Sequence, residues 1–87
     1  MTKLHGQLAA AVRNSLNLPD LKVSVHKGRR NWNFQLHSEG ASSAWLDLEE
    51  DDIRVMKQLG LVPALHLGMF RVAYHALRRA NQGANPQ

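Results

Sequence analysis

The chain has 87 residues, 44% of them hydrophobic, with eleven Lys and Arg, seven Asp and Glu, and a formal net charge of +4. That length suits one domain with a modest core, and the apolar content excludes a globally disordered chain. Cysteine is absent, which excludes disulfides, thiolate nucleophiles and Cys-type zinc sites, and suits a reducing compartment.

The first predicted element is a helix over residues 3–16, with Thr2 as its cap. Leu4, Leu8, Val12 and Leu16, with Ala11 beside them, recur at helical spacing and form one apolar stripe. Asn17 and Pro19 end it, because proline disfavours helical geometry in the residue before it.

Two alternating runs follow. Leu21, Val23 and Val25 alternate with Lys22, Ser24 and His26; Trp32, Phe34 and Leu36 alternate with Asn31, Asn33, Gln35 and His37. Period two is the mark of a half-buried strand. A two-residue loop at Gly28-Arg29 pairs Val25 with Trp32, Val23 with Phe34 and Leu21 with Leu36, putting every apolar pair on one face. Glycine at the first loop position suits a type II′ turn. The pattern therefore predicts a β-hairpin over 21–36 with a basic tip of Lys27, Arg29 and Arg30.

Ser38 to Ser43 reads as a polar loop around Gly40. After it, Ala44, Leu46 and Leu48 alternate with Trp45 and Asp47, the pattern of a third strand near 43–48. The same residues also suit a helix entry, with Asp47 as cap and Glu50 three residues on. We favour a short strand running into a helix, whose first turn then holds the acidic cluster where the helix dipole stabilises negative charge. Ile53, Met56 and Leu59 make the buried side of that helix, and Gly60 ends it. Pro63 fits the first turn of a last helix reaching about Ala80. Leu65, Met69, Val72, Ala73, Ala76, Leu77 and Ala80 give it a broad apolar side, flanked by Phe70 and Tyr74, with Arg71, His75, Arg78 and Arg79 opposite. Residues 1–81 then form one compact domain, and 82–87 a flexible tail. The expected class is α+β, in the order α-β-β-(β)-α-α, with helices on one face of a small antiparallel sheet.

Charge is unevenly distributed. Asp47, Glu49, Glu50, Asp51 and Asp52 fall within six positions, and the rest of the chain holds all eleven Lys and Arg against only the acids Asp20 and Glu39. A positive surface attracts nucleic acid or acidic proteins without choosing between them. The outer hairpin face offers Lys22, Asn31 and Asn33 beside the tip cations Lys27, Arg29 and Arg30, the side-chain types that hold phosphates or read base edges. Arg71, Arg78 and Arg79 make a second basic face that suits phosphates, or simply solubilises a helix. Trp45 is either an exposed anchor for a partner or base, or core. A helix-turn-helix over residues 49–80 fits poorly, because its second helix is too apolar to read a groove.

No catalytic residue or metal ligand set is expected. The five histidines have no pair at i, i+4 on one helix, and the acidic run lacks the alternating ligands and glycine of a calcium loop. Gly-rich phosphate loops and nucleophile motifs are absent, so no cofactor and no enzymatic activity are expected. The apolar run from Leu8 to Val12 is too short to span a bilayer, so the expectation is a cytoplasmic protein with no membrane partner. Two functions remain: a nucleic-acid-binding protein using the basic hairpin and helix face, or a small protein-binding modulator, an inhibitor or adaptor, docking on a larger assembly.

Overall fold

A computed structural model describes residues 3–83. Three helices and a small antiparallel sheet make an α+β architecture: α1 (Lys3–Leu16), β1 (Lys22–Lys27), β2 (Asn31–Ser38), β3 (Ala41–Ser42), β4 (Leu46–Glu49), α2 (Glu50–Leu59) and α3 (Ala64–Gly83). The class and the helix order are as the sequence predicts, with one strand more.

Helix α1 buries Leu8, Ala9, Ala11 and Val12, with Leu4 and Leu16 packed at the margin. It ends on Asn17, which takes a left-handed φ of 58°. Asn17 N–H then reaches the Asn14 carbonyl at 3.2 Å and Leu18 N–H reaches Arg13 at 3.0 Å. These two bonds satisfy carbonyls that the last turn would leave bare, the arrangement asparagine tolerates better than most residues. The expected cap, Thr2, lies outside the described residues.

Strand β2 is central, with β1 along one edge and β3 and β4 along the other. The hairpin register corrects the expected one. Val25 pairs with Phe34, Val23 with Leu36, and Lys27 with Trp32. Gly28 N–H donates to the Asn31 carbonyl at 2.8 Å, so the loop is Arg29-Arg30 rather than Gly28-Arg29. Gly28 has no positive φ, which removes the type II′ turn. A Cβ on Gly28 would sit 3.0 Å from the Asn31 carbonyl, so glycine answers a close backbone approach there. The slip is by two residues, which keeps every side chain on its face. Trp32, Phe34 and Leu36 are accordingly buried, and Leu21 falls just outside the strand.

The tight left-handed turn lies elsewhere. Ser38 pairs with Ala41 across Glu39-Gly40, whose φ values are 52° and 83°. Two central residues with positive φ are the signature of a type I′ hairpin, so the segment expected as a loop carries β3. The third strand expected near 43–48 is β4 at Leu46–Glu49, with Leu46 and Leu48 inward and Asp47 and Glu49 outward. Between β3 and β4, Ser43 patches the edge of β2. Its hydroxyl accepts the Leu36 N–H at 3.0 Å, and its carbonyl accepts Gln35 Nε2 at 2.9 Å.

Helix α2 begins after Glu49, whose backbone N–H donates to Asp52 Oδ2 at 3.0 Å. Asp47 is thus a strand residue and no cap. Glu50, Asp51 and Asp52 occupy the first turn, where the dipole favours them. Ile53 and Met56 are buried; Leu59, expected beside them, is exposed.

Helix α3 lies on the inner face of the sheet, where Phe70 meets Phe34 edge-on at 5.8 Å between centroids. Its buried residues are Phe70 and Leu77, with Met69, Ala73 and Tyr74 packed at the margin. The helix is thus rotated from the expected orientation. Phe70, expected on the flank, is fully buried, while Leu65 and Val72 face out. Of the tail expected from residue 82, residues 84–87 lie outside the described residues, and α3 continues to Gly83.

Candidate interaction surfaces

The hairpin tip presents Arg29 and Arg30, both exposed, with no ion pair for either among the described residues. Lys27 lies over the Trp32 ring at 5.6 Å, a cation–π contact on the inner side of the sheet. His5 packs against the same ring at 5.5 Å. Trp32 Nε1 donates to both carboxylate oxygens of Glu50 at 3.2 Å, and Asn31 pairs with Glu49 across the strands. The cationic tip therefore stands beside the acidic start of α2.

The outer sheet face is occupied by its own hydrogen bonds. Asn33 Nδ2 donates to Asp47 Oδ1. The His37 ring bridges Ser24 Oγ at 2.6 Å and Ser42 Oγ at 2.7 Å. Gln35 is tied to Ser43 as above. Asn33 is thus committed within the fold, and Asp47 and Glu49 bring negative charge to the face that holds Lys22, Asn31 and Asn33. The Ser24–His37–Ser42 chain was not foreseen, because it depends on the true register, in which Lys22 lies opposite His37. A hydroxyl beside an imidazole has the form of an activated nucleophile, and the third partner here is a neutral hydroxyl where a charged triad has a carboxylate. A groove of about 680 Å³ opens at this end of the sheet, lined by His37, Ser42, Leu18, Lys22 and Tyr74 among others.

The hairpin tip and the Arg78-Arg79 end of α3 are well separated, with Arg71 between them beside Phe70. His66 Nε2 is 3.1 Å from Asp52 Oδ2, which ties the first turn of α3 to the first turn of α2, and Val62 N–H donates to Ser15 Oγ at 2.7 Å, which ties the entry of α3 to the end of α1. Phe70 then meets Phe34 in mid-strand, and Tyr74 shares the groove with His37 and Ser42. Arg78 and Arg79 come one turn later. Strand β2 has eight residues, so on the order of 25 Å of sheet separates the tip from that end. Arg71, Arg78 and Arg79 are exposed and, among the described residues, unpaired.

The largest unforeseen feature is apolar. Leu65 is 87% exposed, Val72 and Leu59 66% each and Leu61 46%. Leu65, Met69, Val72 and Ala76 are spaced four, three and four apart, the alternation of a helix-packing seam. Trp45, in the break before β4, is 52% exposed. The breadth of the apolar side of α3 was visible in the sequence, but how much of it the sheet covers was not.

Among the described residues no three His, Asp or Glu side chains converge on a point that would hold a metal, and no helix is long and apolar enough to cross a membrane. Comparison with family models, with curated proteins and with solved structures finds no match for this chain.

Proposed function

We propose that this chain is a non-enzymatic protein-binding module of the cytoplasm that docks through the bare apolar side of α3. One observation carries the reading: Leu65 and Val72 stand in solvent on a helix whose opposite side is already buried. A single exposed leucine is ordinary, whereas a row of them at packing spacing marks an interaction surface. Helix-in-groove and helix-on-helix recognition both use anchors at this spacing. The role of a small inhibitor or adaptor follows, with Trp45 as a separate exposed anchor.

The test is site-specific photo-crosslinking in cells, with a benzoylphenylalanine placed at Leu65, at Val72, or at Lys57 as a control. Adducts to one defined protein species from positions 65 and 72, and none from 57, are the expected outcome. No adduct from 65 or 72 contradicts the reading.

A second reading, nucleic-acid binding, is favoured by the unpaired Arg29-Arg30 tip. Arg78 and Arg79 lie away from that tip, past the Tyr74 that lines the groove. Titration with duplex DNA and with single-stranded RNA at several salt concentrations decides it. Affinity falling steeply with salt, and lowered alike for all sequences by Arg29→Ala with Arg30→Ala, would establish it. No binding at low salt would remove it.

A further inference from the structure

We infer that the free edge of β1 is a docking site for an extended peptide that alternates acidic and β-branched apolar residues and adds one strand to the sheet. This surface is separate from the bare side of α3, and the two stand or fall independently.

Strand β1 lies at the end of the strand order and, among the described residues, pairs with β2 alone. In an antiparallel pair every second residue turns its N–H and C=O away from its neighbour. Two sets of bonds fix which residues do so here. Gly28 N–H donates to the Asn31 carbonyl, so that opposed pair is hydrogen-bonded, and by alternation so are His26 with Asn33, Ser24 with Gln35 and Lys22 with His37. Leu36, opposite Val23, spends its N–H on Ser43 Oγ and its carbonyl on Ser43 N–H, both on the far side of β2. Val23, Val25 and Lys27 therefore aim their backbone donors and acceptors out of the sheet. Leu21 continues that row, and its carbonyl already accepts Arg13 Nη1 at 3.3 Å.

Charge and side-chain pattern define the strand that fits. Residues 21–30 hold Lys22, His26, Lys27, Arg29 and Arg30 and no acid, and β2 stands between them and the acids of β4. Lysines on an edge repel the same edge of a second copy, and the same charge attracts an acidic strand. Lys22, Ser24 and His26 point to the outer face. Val23 and Val25 point to the inner face, where they are half-buried beside the core. An added strand of period two sets its acids beside Lys22 and His26 and its apolar residues beside Val23 and Val25. A nucleic acid matches the charge and not the edge: its phosphates only accept hydrogen bonds, while Val23 and Val25 present carbonyls as well as N–H groups.

The experiment uses the full chain, a capped peptide of alternating glutamate and valine as long as β1, and amide hydrogen exchange read by NMR. In the free chain the Val23 and Val25 amides should exchange much faster than those of Ser24 and His26. Saturating peptide should slow Val23 and Val25 several-fold and leave Ser24 and His26 unchanged, and a lysine–valine peptide of the same length should not bind. Lys22→Glu with His26→Glu, both at exposed positions, should reverse that choice. The variant then binds the lysine–valine peptide and not the glutamate–valine one, a gain that misfolding cannot produce. A wild-type chain that fails to bind the glutamate–valine peptide at millimolar concentration overturns the inference. So does binding that leaves Val23 and Val25 exchange unchanged, which is charge attraction without strand addition. Equal protection of these amides by single-stranded RNA assigns the edge to nucleic acid instead, and protection that appears with rising concentration of the chain alone assigns it to a second copy.

Discussion

The two sides of α3 are made of the same kinds of residue and have different fates. Phe70 and Leu77 are buried against the sheet and α1, at 0% and 3% exposure, while Leu65 and Val72 on the opposite side are 87% and 66% exposed. Apolar content by itself does not bury a residue; what buries it is an apolar surface of matching width. The inner face of four short strands covers about half of the apolar side of a twenty-residue helix, and the other half stays exposed. The side that holds the fold together and the exposed apolar side thus face roughly opposite ways on one helix.

Substitutions separate the two sides. The largest effect is expected on the covered side: Phe70→Ala should cost about 3–5 kcal/mol, most of the stability of so small a domain, seen as loss of the cooperative transition in urea. Leu77→Ala should cost about 2–4 kcal/mol by the same cavity mechanism and shift the midpoint without changing the slope. Gly68→Ala sharpens the contrast because its sign differs. It should stabilise by up to about 1 kcal/mol, since the added methyl meets open space and alanine is the better helix former. Leu65→Ala should change the stability of dilute protein by no more than about 0.5 kcal/mol, as expected of a side chain with little to lose. A cost of several kcal/mol at Leu65 would show that the two sides are not distinct.

The legibility of the sequence follows the same physics. The hairpin and its inner face were readable because period-two alternation admits only one assignment of faces. Register was not, because a slip of two residues leaves that pattern untouched and only the turn decides. Gly28 pointed to a turn one residue too early: it is needed for close approach to the Asn31 carbonyl, not for a positive φ. The positive φ values fall at Glu39 and Gly40, where the sequence reads as a polar loop. The helices were readable in extent and poorly readable in rotation. Helix α1 has a narrow stripe and packs as expected, whereas α3 has a broad one and no internal mark of which part the sheet takes. The basic patches were readable as lists of residues, and the distance between the tip and Arg78-Arg79 was not, because it depends on α3 crossing β2 at Phe34 and reaching the groove at Tyr74.

The most direct test is hydroxyl-radical footprinting of Leu65 and Val72 in the purified chain and in cells. Labelling of both residues is predicted to be strong in the purified chain and several-fold weaker in cells, while Phe70 stays protected in both. Equal labelling of Leu65 and Val72 in the two settings would contradict the claim that a partner docks on this side of α3.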